Sequence, residues 1–194
     1  MNPFTLSCVP EILFGAGRLA DAPAKLEAVA GAGTTAMIVA DPAMAGLGIT
    51  AKLTAALTAA GHRFAIYDGF KGEPKSSDID TAASLALKAG AGAVIGLGGG
   101  SALDTAKLVA ACAVSGAPAE AYQLCETPLP KNRLPIIAIP TTAGTGAEVT
   151  RVAVFSNAQK IKVWAWGEEI KPDVAILDPE LTVAVPPHIT AATG

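Results

Sequence analysis

The chain has 194 residues, near the upper end of a single domain and long enough to bury a core. Its formal charge of -3, with no Lys/Arg cluster, argues against nucleic acid as a partner, because neutralising phosphates needs a basic face. Apolar residues make up 51% but aromatics only 5%, a composition that suits a close-packed α/β protein better than a β-sandwich. No apolar run approaches the roughly twenty residues of a membrane span.

Met1 to Pro10 carries neither a positive leader nor an apolar stretch, so no export signal is expected. Glu11–Phe14 reads as a short strand, followed by Gly15-Ala16-Gly17 and a helix from Arg18 to Ala30. Ala36–Ala40 reads as a buried strand ending at Asp41-Pro42, and Thr50–Ala60 as a helix stopped by Gly61. Phe64–Tyr67 is the next strand, and Ser77 or Asp78 is expected to cap a helix through Ala89. The continuous apolar run Ala93–Leu97 predicts a strand buried on both faces, turning through Gly98-Gly99-Gly100 into a helix from Ser101 to Val114. Leu134–Ile139 is a further strand closed by Pro140. Strands alternating with helices of this length predict a parallel sheet with right-handed crossovers. Past Thr150 the rhythm changes: Val152–Phe155 and Lys162–Trp166 are expected to pair as a hairpin, Val174–Leu177 adds a strand, and the Pro-rich stretch from Asp178 reads as a connector. Cys8, Cys112 and Cys125 are odd in number and lack C-x-x-C spacing, so they read as reduced thiols of a cytoplasmic protein.

The strongest chemical signal is Gly98-Gly99-Gly100-Ser101-x-x-Asp104-x-x-Lys107. Glycines between a buried strand and a helix allow close backbone approach, and the first-turn N–H groups with the helix dipole favour an anion, most naturally a pyrophosphate. Ser101 and Asp104 also fit a capping box, and a cap without a ligand is the plainer alternative. Asp104 and Lys107 either approach an active-site cleft or serve as a capping carboxylate and a snorkelling lysine. Gly15-x-Gly17-x-x-Ala20 is a rival fingerprint, with an acid at Asp41 about twenty residues on. Gly31-x-Gly33-x-x-Ala36 precedes a strand and is set aside as chance. The length and burial of the strand feeding Gly98 favour that loop. Asp41, at a strand end, either accepts the adenosine ribose hydroxyls and repels the extra phosphate of NADP, or starts a turn with Pro42.

Directly after the Leu134–Ile139 strand comes Pro140-Thr141-Thr142-Ala143-Gly144-Thr145-Gly146-Ala147-Glu148-Val149-Thr150, a loop of hydroxyls and glycines that either faces the phosphate loop or satisfies its own backbone. Taken with G-G-G-S-x-x-D-x-x-K, and with Lys171-Pro172-Asp173, Asp178-Pro179-Glu180-Leu181-Thr182 and Thr190-Ala191-Ala192-Thr193-Gly194, it resembles the iron-containing (group III) alcohol dehydrogenases along essentially the whole chain. The resemblance implies an α/β fold: a Rossmann-like parallel sheet flanked by helices, with a β-hairpin and a connector. Residues 1–180 would form the NAD-binding domain, and 181–194 would lead to a helical metal-binding domain absent here. It also implies that Gly98, Gly99, Gly100 and Ser101 hold the NAD pyrophosphate, and Asp41 the adenosine ribose. Thr141, Thr142 and Thr145 would line the adenine and phosphate side, Lys162 would lie near the nicotinamide ribose, and Leu181 would touch the cofactor from the connector. Gly72-Glu73-Pro74 aligns with a family segment that often reads P-x-P; Gly72 departs from it, and Glu73 is not carried over.

Family members hold a divalent metal, iron or zinc, through one aspartate and three histidines, all beyond Gly194. His62, at a helix end, and His188, in a Pro-rich turn, are therefore expected to be structural, with no metal site and no catalytic residue in this chain. In the complete enzyme the metal would lower the alcohol's pKa, so that hydride leaves for the nicotinamide; this chain alone is expected to be inactive. The implied partners are NAD and a small alcohol or aldehyde, and an edge strand near the N-terminus is the candidate homodimer contact. Alternatives are a metal-independent relative of the maleylacetate reductase kind, a zinc-using one of the dehydroquinate synthase kind, or a free-standing nucleotide-binding module.

Overall fold

The computed structural model describes residues 9–70 and 72–193; Cys8, the stretch before it and Gly194 lie outside them. Six strands form one sheet: β1 (Glu11–Phe14), β2 (Thr35–Ala40), β3 (Arg63–Tyr67), β4 (Ala93–Gly98), β5 (Ile136–Pro140) and β8 (Val174–Leu177). Their order is β1-β8-β5-β4-β2-β3 and every pair is parallel. The central strands β2, β4 and β5 are buried along their whole length, as continuous apolar runs in a two-sided parallel sheet should be.

Each face of the sheet is covered. On one side Ala36, Ile38, Ile95 and Leu97 pack against Leu26 of α1 (Ala22–Ala30) and Leu53 and Leu57 of α3 (Ile49–Ala59). On the other, Met37, Val39, Val94 and Ile136 pack against α4 (Ser76–Ala89) and α5 (Gly100–Ser115). Gly96 lets α5 lie close on β4: a Cβ there would come within 3.0 Å of both Ala106 Cβ and a Leu103 methyl. Outside the sheet, β6 (Val152–Ser156) and β7 (Lys162–Trp166) form the expected antiparallel hairpin. Its inward residues Ala153, Phe155, Val163 and Ala165 are buried in the cluster formed with α5.

Topology places the site. The chain leaves β2 towards β3 at one edge, whereas it leaves β4 towards β5 on the opposite side. Such a reversal opens a crevice at the carboxyl ends of the two strands, the usual ligand position in open α/β sheets. Asp41 follows β2, and Gly98-Gly99-Gly100 carries the chain from the end of β4 into α5, at that crevice.

Some local expectations are corrected. The helix expected from Arg18 is split into a 3-10 turn, Arg18–Asp21, and α1. A one-turn helix α2 (Ala43–Gly46) follows Pro42. Neither Ser77 nor Asp78 caps α4, which begins at Ser76 after an uncapped Lys75; Asp78 Oδ1 instead accepts from the Tyr67 hydroxyl at 3.0 Å. Burial and that bond push the Tyr67 pKa up to about 12. The closing segment is not wholly irregular: Pro187–Thr193 forms α6, whose end lies against Gly144 of the threonine loop. His188 is therefore on a short exposed helix rather than in a turn. His62 is buried, with Nδ1 3.3 Å from the Thr34 carbonyl.

Candidate cofactor-binding site

The two glycine motifs separate cleanly. In the rival motif, the N–H groups of Gly17 and Leu19 donate to the two carboxylate oxygens of Asp178 at 3.1 and 2.9 Å. Asp178 is buried and also accepts from its neighbour Glu180 N–H at 3.1 Å. An internal carboxylate thus occupies the place where a phosphate would bind, and the turn is a structural joint between β8 and the first helix.

The Gly98 loop is arranged differently. Gly98 has φ +144°, and a Cβ on it would fall 2.6 Å from Asp41 Cβ, so only glycine lets the two strand ends sit together. Asp41 N–H donates to the Leu97 carbonyl at 2.8 Å and Thr141 N–H to the Gly98 carbonyl at 2.9 Å. The ends of β2, β4 and β5 are thereby locked side by side. The expected capping box is absent: α5 starts at Gly100 after Gly99, with no side-chain cap. The start of the helix is thus left open rather than filled by its own serine, which suits an incoming anion.

Two cavities meet at this point. One, of about 450 Å3, is bordered by Asp41, Phe70, Gly99, Thr142 and the α6 residues Ile189 and Thr193. The other, of about 530 Å3, is bordered by Glu73, Asp104, Thr150, Val152, Val154 and Lys162. Gly100, Ser101 and Thr145 line both. The result is a two-lobed cleft with the start of α5 at its waist.

Of the residues singled out in the sequence, Asp41, Gly99, Gly100, Ser101, Thr142, Thr145 and Lys162 line this cleft. Gly98 and Thr141 form its framework: Gly98 ends β4 and Thr141 is buried beneath the loop. Leu181 lies elsewhere, bordering a separate cavity with Gly17, Lys52 and Asp178. Asp41 does start a turn, its Oδ1 accepting from Ala43 N–H at 2.9 Å, and the residue also borders the first lobe. Lys162 pairs with Glu73 at 2.5 Å, and the Lys162 and Ser156 contacts hold the Glu73 carboxyl below its usual range.

Asp104 and Lys107 form a contact that sequence reasoning missed. Lys107 is 0% exposed and does not snorkel. Its Nζ donates to the Val152 carbonyl at 2.7 Å, Thr150 Oγ1 at 3.1 Å and Asp104 Oδ1 at 3.3 Å, while Asp104 Oδ2 accepts from Val154 N–H at 3.0 Å. Desolvation pulls the Lys107 pKa down and pushes that of Asp104 up, so each charge depends on the other. The pair fastens the hairpin to α5 and so sets the wall of the second lobe. Val152 and Val154 were readable as one face of a strand; their place in the cleft was not, since it depends on this link.

The chain is 41% identical over 160 residues to long-chain-alcohol dehydrogenase 1 of Geobacillus thermodenitrificans, covering 81% of this chain and 40% of that protein. It is 36% identical over 187 residues to sulfoacetaldehyde reductase of Bilophila wadsworthia, covering 96% and 48%. It thus spans somewhat less than half the length of these curated relatives. Its fold superimposes on NAD+-bound sulfoacetaldehyde reductase from Bifidobacterium kashiwanohense with a TM-score of 0.91 at 33% identity, covering 100% of this chain and 50% of that one. It superimposes on NADH-dependent butanol dehydrogenase A from Thermotoga maritima with a TM-score of 0.92 at 27% identity, covering 100% and 48%. The profile of the family described as iron-containing alcohol dehydrogenase matches residues 10–179, and the chain belongs to that family.

Proposed function

We propose that the chain is the NAD-binding part of a metal-dependent alcohol dehydrogenase that moves hydride between a primary or secondary alcohol and NAD. The observation that carries this reading is the two-lobed cleft pinched at the open N-terminus of α5. In it the pyrophosphate rests on Gly98–Ser101, Asp41 accepts the adenosine ribose hydroxyls, Thr142 and Thr145 flank the phosphates over the buried Thr141, and Lys162 lies towards the nicotinamide ribose. The cofactor carries the hydride; the chain supplies binding and orientation.

Relatives are named for long-chain alcohols, sulfoacetaldehyde and methanol, which supports an alcohol or aldehyde as substrate. Among the described residues no three His, Cys, Asp or Glu side chains gather as metal ligands. His62 is buried against backbone and His188 is on exposed α6, so these residues do not fit the divalent metal, iron or zinc, that the family name implies. Under the proposal the metal and catalytic groups belong to a helical domain to which residues 181–194 lead, and this chain alone is inactive. We place the enzyme in the cytoplasm, a reducing compartment that suits the free thiols Cys112 and Cys125. A homodimer through the sheet edge at β1 is part of the same reading, supported by exposed Val9, Ile12 and Phe14 there.

The test is calorimetric titration of the chain with NAD and with NADP. Binding of NAD with little binding of NADP is expected. Equal binding of the two would remove Asp41 from the ribose, and binding of neither would overturn the reading.

A further inference from the structure

The outward face of the hairpin carries two tryptophans beside the second lobe of the cleft. Trp164 and Trp166 are 50% and 51% exposed. Alternation along β7 puts them on the same face as Lys162, and the register sets Trp164 opposite Val154 and Trp166 opposite Val152. Val152, Val154 and Lys162 line the lobe, and the indoles stand on the same hairpin face immediately beside that lining. The hairpin's hold on the sheet comes from its other face, which leaves the indoles free of that task.

Charges around this face are already matched. Arg151 lies 4.7 Å from the Trp166 ring centroid and pairs with Glu168. Lys162, the one cation among the residues lining the lobe, pairs with Glu73, and Asp104 adds a second carboxylate. An anionic substituent entering here finds no unpaired cation, since Lys162 is held by Glu73 and Lys107 by Asp104. An apolar one meets Val152, Val154 and the open Trp164 indole, with Trp166, one ring face under Arg151, extending the surface.

We propose that this face receives the apolar chain of the substrate: an alcohol or aldehyde bearing an uncharged aliphatic or aryl substituent of several carbons, laid across Trp164 and Trp166 with its reacting carbon towards the nicotinamide. This rests on the placement of the nicotinamide beside Lys162 proposed above. Trp164 and Trp166 are the chain's only tryptophans, so indole fluorescence reports this face alone.

The experiment first measures NADH binding to the full chain by calorimetry. Acetamide, butyramide, octanamide and sulfoacetamide, unreactive isosteres of aldehydes, are then titrated into the NADH-saturated chain while indole emission is followed. Affinity is expected to rise about fourfold per added methylene, the gain from burying a CH2 group. Trp164→Ala should weaken octanamide about tenfold or more, Trp164→Phe should restore most of the loss, and the sulfonate should bind more weakly than butyramide. With NADH bound, a flat response to chain length, an unaffected Trp164→Ala variant or tight binding of the sulfonate overturns this inference alone. Failure of NADH to bind overturns the cofactor reading and this inference with it.

Discussion

Replacing Lys107 with methionine should loosen the hairpin. Methionine fills nearly the same space but removes three donated bonds, to the Val152 carbonyl, Thr150 Oγ1 and Asp104 Oδ1. The Asp104 carboxylate, its side chain only 15% exposed, then keeps Val154 N–H but loses its counter-charge. Breaking a buried pair from one side costs about 3–5 kcal/mol, against a total of roughly 5–15 kcal/mol for a domain. The assay is urea unfolding followed in parallel by far-UV circular dichroism, which reads the sheet and helices, and by tryptophan fluorescence, which reads only β7. Lys107→Met should lose about 3–5 kcal/mol, with the fluorescence transition coming first. Lys107→Met combined with Asp104→Leu should fall well short of the summed single losses, because no buried charge is left alone. A loss under about 1 kcal/mol, or simple additivity, would refute the view that this pair holds the hairpin.

Asp41→Gly should bring NADP affinity up to that of NAD, read by calorimetry, by removing the carboxylate that repels the 2′-phosphate. Asp178→Ala strands the Gly17, Leu19 and Glu180 N–H groups and should cost about 2–3 kcal/mol by urea unfolding, with NAD affinity unchanged because the turn is not the phosphate site. Burial pushes the Cys112 thiol from its usual 9.0 up to about 12. Its folded pKa is thus raised: the contribution is fully present below pH 9 and is lost as pH rises towards about 12, as the unfolded thiol ionises first. Cys112→Ala should flatten the fall in stability over that range relative to the unmodified chain, and an unchanged slope would count against it.

The sheet was legible because β2, β4 and β5 are unbroken apolar runs between glycines and prolines, a signal that burial on both faces produces directly. The Gly98 loop and the threonine loop were legible for the same reason, as each follows one of these strands immediately. What stayed hidden depends on partners far away in sequence. Nothing near Gly17 reveals that Asp178 fills its turn. Ser101 and Asp104 have the spacing of a capping box, yet Asp104 is taken by Val154, fifty residues on. A lysine on a helix reads as surface, and the burial of Lys107 appears only once β6 lies over α5. α6 escaped notice because Pro186-Pro187 suggests a connector, although proline at the first helical position is also a start signal.

The most direct test of the account is NAD titration of a Gly99→Asp variant beside the unmodified chain. Gly99 has φ -77°, which any residue adopts, and a Cβ there would sit 3.4 Å from Thr142 Oγ1, so the substitution leaves the fold intact, as circular dichroism should verify. It sets a carboxylate at the start of α5, where the pyrophosphate is proposed to rest. NAD is expected to bind the unmodified chain and to fail to bind the folded variant. Equal binding by both would place the cofactor elsewhere and contradict the account.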